Sequence, residues 1–156
     1  MDTKEIIKKR LEDLLALLQI DADISIKENQ QIFYVNLSKT DAALLIGFQG
    51  ENLRALQHIL RSLIFKDLKG ENFPTIILDI EDYRGKEEDK LKGFVKNMAE
   101  IVKQNNRAEA LKPMSSYKRR LVHMAVSEVS GVETESYGEE PERGIIIKPK
   151  TGKASE

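Results

Sequence analysis

The stretch Leu45-Ile46-Gly47-Phe48-Gln49-Gly50-Glu51-Asn52-Leu53 joins two segments of helical periodicity through only a few residues. A glycine at each end of this loop lets the backbone take positive φ and approach other atoms without a Cβ in the way. The amides of the loop and of the next helix's first turn lie at the positive end of the helix dipole, which suits a phosphodiester backbone. The alternative at this point is a helix–turn–helix connection that needs glycine for its geometry alone.

Hydrophobic periodicity predicts the elements on either side of this loop. A Leu-rich helix opens the chain, an apolar alternation over residues 24–37 predicts a β-hairpin, two helices flank the loop, and residues 75–80 form a strand. The predicted order for this half of the chain is therefore α-β-β-α-α-β.

The second half begins after a polar, charge-dense segment at residues 82–86, which predicts a short boundary. Beyond it we predict a helix from Lys86 to about Asn105, a helix over roughly residues 117–130, and two strands joined by a turn at residues 138–142. The result is a helix pair on a small antiparallel sheet. The predicted class is α+β, with a domain over residues 1–82, a second over residues 83–150 and a flexible tail over residues 151–156.

Composition excludes several classes of protein. The 156 residues include no cysteine and two histidines, which excludes disulfide scaffolds and thiol chemistry, and we predict no metal and no cofactor. Twenty-five basic and 26 acidic residues give a net charge of −1, which rules out binding of polyanions by bulk charge. The longest apolar run is too short to span a bilayer and no signal-peptide core follows Met1. We therefore expect a cytoplasmic protein without stable membrane insertion.

The second candidate site is Arg119-Arg120-Leu121-Val122-His123. Arg119 and His123 are four residues apart, so a helix is expected to place them on one exposed face. A forked guanidinium beside an imidazole can contact the phosphates and bases of a nucleic acid. The alternative is an ordinary pair of polar side chains on a solvated helix.

The glycine loop and its element order resemble a type II KH domain of bacteria. Domains of this family clamp about four single-stranded nucleotides between the loop and an apolar groove. The resemblance makes Ile46, Leu53 and one face of residues 76–78 the groove walls. It assigns the nucleotide clamp to a set of loop residues and their neighbour: Ile46, Gly47, Phe48, Gln49, Gly50 and Arg54. Phe48 and Gln49 occupy the variable loop positions, which are often basic in the family, and the carboxylate of Glu51 follows directly. We therefore expect weak binding, with Arg54 and Lys39 compensating for the carboxylate.

Residues 111–123, with residues 131–143, resemble an R-three-H domain, a family associated with single-stranded nucleic acid. The resemblance makes Arg119 and His123 the contact pair and assigns the flanking phosphate contacts to Lys112, Lys118 and Arg120. A KH domain followed directly by an R-three-H domain is similar to the bacterial Jag family, also called KhpB or EloR. The similarity covers residues 4–149, and we expect the chain to lack the amino-terminal Jag-N domain of that family.

The resemblance implies a non-enzymatic protein that binds single-stranded RNA, with single-stranded DNA as a second ligand. It implies a post-transcriptional regulator or RNA chaperone linked to cell elongation and division, paired with a small stand-alone KH protein (KhpA-like) or with a second copy. The alternative is a protein–protein interaction module, an adaptor for a KH partner or for cell-envelope machinery, in which Phe48 contacts protein. An enzyme ranks third, because the sequence offers no nucleophile–base pair and no phosphate loop with its lysine.

Overall fold

The computed structural model describes residues 2–70 and 72–151. The chain divides into two compact units, Met1–Arg84 and Gly85–Glu156. Residues 152–156 of the predicted flexible tail lie outside the described residues.

The first unit contains three helices and a three-stranded sheet in the predicted order, which is confirmed. The elements are α1 (Thr3–Leu18), β1 (Asp23–Asn29), β2 (Ile32–Ser38), α2 (Ala42–Ile46), α3 (Glu51–Asp67) and β3 (Thr75–Ile80), with a single 3-10 turn at Phe48–Gly50. The strand order is β1-β2-β3, with β1 antiparallel to β2 and β2 parallel to β3. A parallel pair needs a long crossover, and α2, the glycine loop and α3 provide it.

One hydrophobic core holds the first unit together. The helix α1 contributes Ile7, Leu11 and Leu15, spaced four residues apart, and α3 contributes Leu53, Leu56, Leu60 and Ile64. Alternate residues of β2 and β3 supply the opposite side of this core. The packing of α3 on the sheet fixes where its first turn, and so the glycine loop, stands.

The second unit is a helix pair with a small antiparallel sheet, as predicted. Its elements are α4 (Tyr83–Asn105), whose first two residues still belong to the first unit, β4 (Glu109–Ala110), α5 (Ser116–Ser127), β5 (Val132–Tyr137) and β6 (Gly144–Pro149). The strand order is β4-β6-β5. A separate core joins α4, α5 and the sheet, with Val95, Val122 and Ile145 fully buried. The observed α+β class agrees with the class predicted from the sequence.

Three details of the second half differ from the prediction. The helix expected over roughly residues 117–130 spans Ser116–Ser127 and so ends about three residues early. The helix expected to start at Lys86 already begins at Tyr83, so most of the polar segment at residues 82–86 is helical. Charged residues suit a solvated first turn of a helix as well as they suit a connecting segment, so composition alone misplaced the start. The strand β4 is absent from the prediction, since two residues are too few to show a periodicity.

Across residues 2–70 and 72–151, none of the helices combines the length and the apolar character that crossing a membrane requires. Within the same residues, no group of three or more His, Asp or Glu side chains is placed so that it could hold a metal ion.

Candidate nucleic-acid interface

The glycine loop, residues 47–50, has a backbone conformation that favours glycine at both ends. Gly47 has φ of 69° and Gly50 has φ of 77°. A Cβ on Gly47 would lie 2.5 Å from Cγ of Asn52, and one on Gly50 would lie 3.1 Å from Cε1 of Tyr83. Any other residue would be strained at either position, so the local fold accounts for both glycines whatever the loop binds.

The tip of this loop is open to solvent. The amides of Gly47 and Gly50 are used internally, donating to Ala43 O at 3.0 Å and to Gly47 O at 3.3 Å. Among the described residues the amides of Phe48 and Gln49 have no acceptor. Both of these side chains are exposed, Phe48 by 75%. Two adjacent N–H groups are thus free for an acceptor brought by a ligand.

Two side chains from the first turn of α3 brace the loop. Asn52 Nδ2 donates to Leu44 O at 2.8 Å, which ties α3 to the end of α2. Arg54 Nη1 donates to Gln49 O at 3.1 Å, and this holds a cation beside the free amides. A guanidinium has five donor N–H groups, so Arg54 retains donors for a phosphate. Sequence reasoning missed Asn52, because an asparagine in a first helical turn gives no distinctive pattern.

Other residues assigned to this site from the sequence lie elsewhere. Lys39 binds Asp23 at 2.7 Å, and this hydrogen-bonded carboxylate raises the pKa of Lys39, so its charge is already paired. The predicted groove wall is wrong for Leu53, which is 2% exposed and belongs to the core. Of the two faces of residues 76–78, the one with Ile76 and Leu78 belongs to the core, while Ile77 on the other face is half-buried. Ile46 is half-buried and remains next to the loop.

The outer edge of β3 is covered by two polar side chains. Gln57 Oε1 accepts from Leu78 N at 2.9 Å, and Arg84 donates through Nε and Nη2 to Leu78 O at 3.2 Å. The unpaired backbone N–H and C=O groups of an uncovered edge strand can pair with another strand. Here the backbone groups of Leu78 are already satisfied.

Arg119 is not on an exposed face of α5, and that prediction is wrong. The residue is 7% exposed. Its Nη1 donates to Met114 O at 2.7 Å, and its Nη2 donates to Glu140 Oε1 at 2.5 Å. Val122 and Val126, three and seven residues later, are buried on the same side of α5. A buried cation requires such partners, because an unpaired charge is costly away from water.

His123 is half-buried and faces the strand β5. Its Nδ1 shares a hydrogen bond with Thr134 Oγ1 at 2.5 Å, and its Nε2 lies 3.5 Å from Ser136 Oγ. The two signature side chains thus contact different parts of the second unit: His123 binds the strand, and Arg119 binds the chain before α5 and the turn before β6. The structure does not bring them together around a common ligand position.

Some cations of the second unit are paired with carboxylates, and others are available to a ligand. Lys148 binds Glu135 at 2.7 Å, which raises the pKa of the lysine and lowers that of the carboxyl group. Lys96 binds Glu128 at 2.5 Å, and the pKa of Glu128 is lowered for the same reason. Within the described residues no hydrogen bond or ion pair engages the side chains of three exposed cations: Lys112, Lys118 and Arg120.

Comparisons with known proteins agree with this architecture. Residues 89–149 match the model of the R-three-H domain. RNA-binding protein KhpB of Clostridium symbiosum is 34% identical over 142 residues, which are 90% of this chain and 63% of that protein. RNA-binding protein KhpB of Bacillus subtilis is 28% identical over 131 residues, 83% of this chain and 62% of that protein.

The protein of the same name in Lactiplantibacillus plantarum is 28% identical over 130 residues, 83% of this chain and 40% of that protein. The chain therefore spans 40 to 63% of the length of these curated relatives. The matches extend through both units, from the glycine loop to the R-three-H domain. On this evidence the chain carries an R-three-H domain, and it is similar through both units to the RNA-binding proteins named KhpB.

Proposed function

We propose that this protein binds single-stranded RNA and acts as an RNA-binding regulator, with the glycine loop as its principal contact. The observation that supports this most is the pair of free amides at Phe48 and Gln49, in an exposed loop at the start of α3. Donors of this kind suit the phosphates of a nucleic acid. The relatives carry the name RNA-binding protein, which favours this function over a protein interaction module.

The KH character of the first unit is part of this proposal. It is supported by the α-β-β-α-α-β order, by two glycines at positive φ and by Arg54 beside the loop. The carboxylate of Glu51 follows the loop directly, so we expect weak binding by this site alone. A second weak site on the same chain raises the apparent affinity through effective concentration.

The test places negative charge at the exposed tip of the loop. A Phe48→Asp/Gln49→Asp double variant puts two carboxylates where the phosphates are proposed to lie, without touching either glycine. We expect its affinity for a fluorescent single-stranded RNA of random sequence to fall by about tenfold or more, since removing or opposing a charged contact costs roughly 1.5–3 kcal/mol. Fluorescence anisotropy at low salt measures this.

The matched control is Phe48→Ser/Gln49→Asn, which changes the same side chains without adding charge. Asn tolerates the φ of 50° at Gln49, as Asp does. Equal affinities for the charged and the neutral variants would exclude the loop as a phosphate contact. No binding of any single-stranded RNA by the unaltered chain would exclude the function itself. A parallel titration with single-stranded DNA measures the contribution of the ribose hydroxyls.

We propose further that the chain works by binding rather than catalysis, as the names of its relatives suggest. The finer parts of the proposal are a cytoplasmic location, pairing with a small KH protein or a second copy, and a role in cell elongation and division. Crosslinking in the host, followed by sequencing of the bound RNA and identification of co-purified proteins, tests them together. Recovery of no RNA above an uncrosslinked control would contradict the regulatory role.

A further inference from the structure

We propose that Arg119 is a positioning residue of the second unit and not an RNA contact. The phosphate contacts of this unit then come from four exposed cations: Lys112, Lys118, Arg120 and Arg143. We call these four residues the basic platform. The inference rests on the proposed RNA-binding function and names which residues of the R-three-H domain carry it.

The contacts of Arg119 explain its positioning role. Its guanidinium joins three segments: α5, from which it projects; the strap, residues 111–115; and the acidic turn, residues 138–142. The strap is held through Met114 O and the turn through Glu140 Oε1. With 7% of the residue exposed and two acceptors engaged, little of the guanidinium is left for a ligand.

The strap is also fixed to the beginning of β6. Leu111 N donates to Ile145 O at 2.8 Å, and Met114 N donates to Arg143 O at 3.1 Å. Lys112 in the strap is therefore carried beside the segment that carries Arg143. Arg119 completes this arrangement by joining the strap and the turn to the first turns of α5, where Lys118 and Arg120 project.

The platform residues are the unpaired cations of the strap, of α5 and of the position directly after the acidic turn. All four are exposed, and among the described residues none of their side chains has a hydrogen bond or ion pair. Arg119 has a second effect, because it neutralises Glu140, whose carboxylate would otherwise repel a phosphate. Glu139 and Glu142 remain on the acidic turn as exposed carboxylates, and neither side chain pairs with another of the described residues.

The first experiment counts phosphate contacts from the salt dependence of RNA affinity. For single strands the slope of log affinity against log salt changes by about 0.7 for each phosphate contact. We expect Lys118→Gln and Arg143→Gln each to flatten the slope by about this amount, and Arg119→Lys to weaken binding about threefold or more at an unchanged slope. Lys103→Gln, an exposed lysine near the end of α4, is the matched control and should change neither quantity.

The second experiment separates positioning from contact. Glu140→Gln frees the guanidinium of Arg119, and Glu139→Gln removes the same charge from the same turn without touching it. If Arg119 positions the platform, Glu140→Gln binds RNA more weakly than Glu139→Gln. If Arg119 instead contacts RNA, its ion pair with Glu140 competes with that contact. Glu140→Gln then binds RNA more tightly than Glu139→Gln, and that result overturns the inference.

The remaining outcomes are also decisive. Circular dichroism of each variant shows whether it is folded, and the Lys118 and Arg143 variants change only exposed side chains. Unchanged slopes in both would overturn the platform even if Arg119→Lys failed to fold. If the unaltered chain binds RNA but the slopes do not move, this inference alone fails; if it binds no RNA at all, the proposed function fails with it.

Discussion

At the scale of single residues, two glycines of this chain stand in opposite local environments. Gly50 is buried at φ of 77°, and an added Cβ would lie 3.1 Å from Tyr83. Gly93 lies inside α4, and no atom stands within 4 Å of an added Cβ. The backbone conformation at Gly50 favours glycine, whereas Gly93 only makes the helix less stable than an alanine would.

We therefore expect Gly50→Ala to lower the free energy of unfolding by about 1–2 kcal/mol and Gly93→Ala to raise it by about 0.5–1 kcal/mol. Denaturant titrations of the two variants beside the parent chain measure both changes. A stabilised Gly50→Ala variant would show that the left-handed conformation is not maintained in solution. The same geometry makes Gly50→Asp unsuitable as a binding test, because it would alter the fold together with the charge.

At the scale of elements, one ion pair joins the first helix to the end of α3. Arg10 donates through Nε and Nη2 to the two carboxylate oxygens of Asp67, each at 2.6 Å. These hydrogen bonds lower the pKa of Asp67 below its ordinary value. A lowered carboxyl pKa contributes stability at a pH above the pKa of the unfolded chain, and this contribution is lost as the pH falls through the folded value.

We predict that Asp67→Asn destabilises the chain at neutral pH and that this difference from the parent disappears in acid. The loss begins near the ordinary aspartate pKa of about 4 and is complete below the lowered value. Urea titrations at several pH values measure the difference directly. The control, Glu12→Gln, removes an exposed carboxylate that lies 3.8 Å from Lys8 and should leave the unfolding free energy unchanged. A pH-independent effect of Asp67→Asn would contradict the assigned ion pair.

At the scale of the whole molecule, the described residues form two separate hydrophobic cores. One is built from residues 7–80 and includes Leu60 with no exposed surface; the other is built from residues 95–147 and includes Ile147 with none. No buried residue belongs to both clusters among the residues that the structure describes. A cavity in one core is therefore expected to lower chiefly the stability of its own unit.

Accordingly, Leu60→Ala is expected to lower the stability of the first unit by about 2–5 kcal/mol, through lost burial and the cavity left behind. Amides of β6 should keep their hydrogen-exchange protection in this variant. Ile147→Ala is the reciprocal change and should leave the hydrogen-exchange protection of the amides of β2 and β3 unchanged. Equal loss of protection in both units for either variant would mean that the chain unfolds as one cooperative body.

Local patterns were sufficient to predict much of this protein. The i, i+4 spacing of Ile7, Leu11 and Leu15, the alternation in β2 and the paired glycines are properties of neighbouring residues, and each led to the correct element. The α-β-β-α-α-β order and the helix pair on a small sheet followed. The two-residue strand β4 and the start of α4 did not, because a period cannot be seen in so few residues or through a charge-dense helical turn.

The amino-acid sequence by itself determined most of the elements, the glycine loop and the places where cations are concentrated. Only the tertiary structure decided which of these cations are free. Arg119 is buried because Met114 and Glu140, 5 and 21 residues away in sequence, supply acceptors for its guanidinium. Leu78 lies in the core because its strand pairs beside β2. Periodicity assigns a residue to a face of its own helix or strand, but the surroundings of that face depend on contacts between residues distant in sequence.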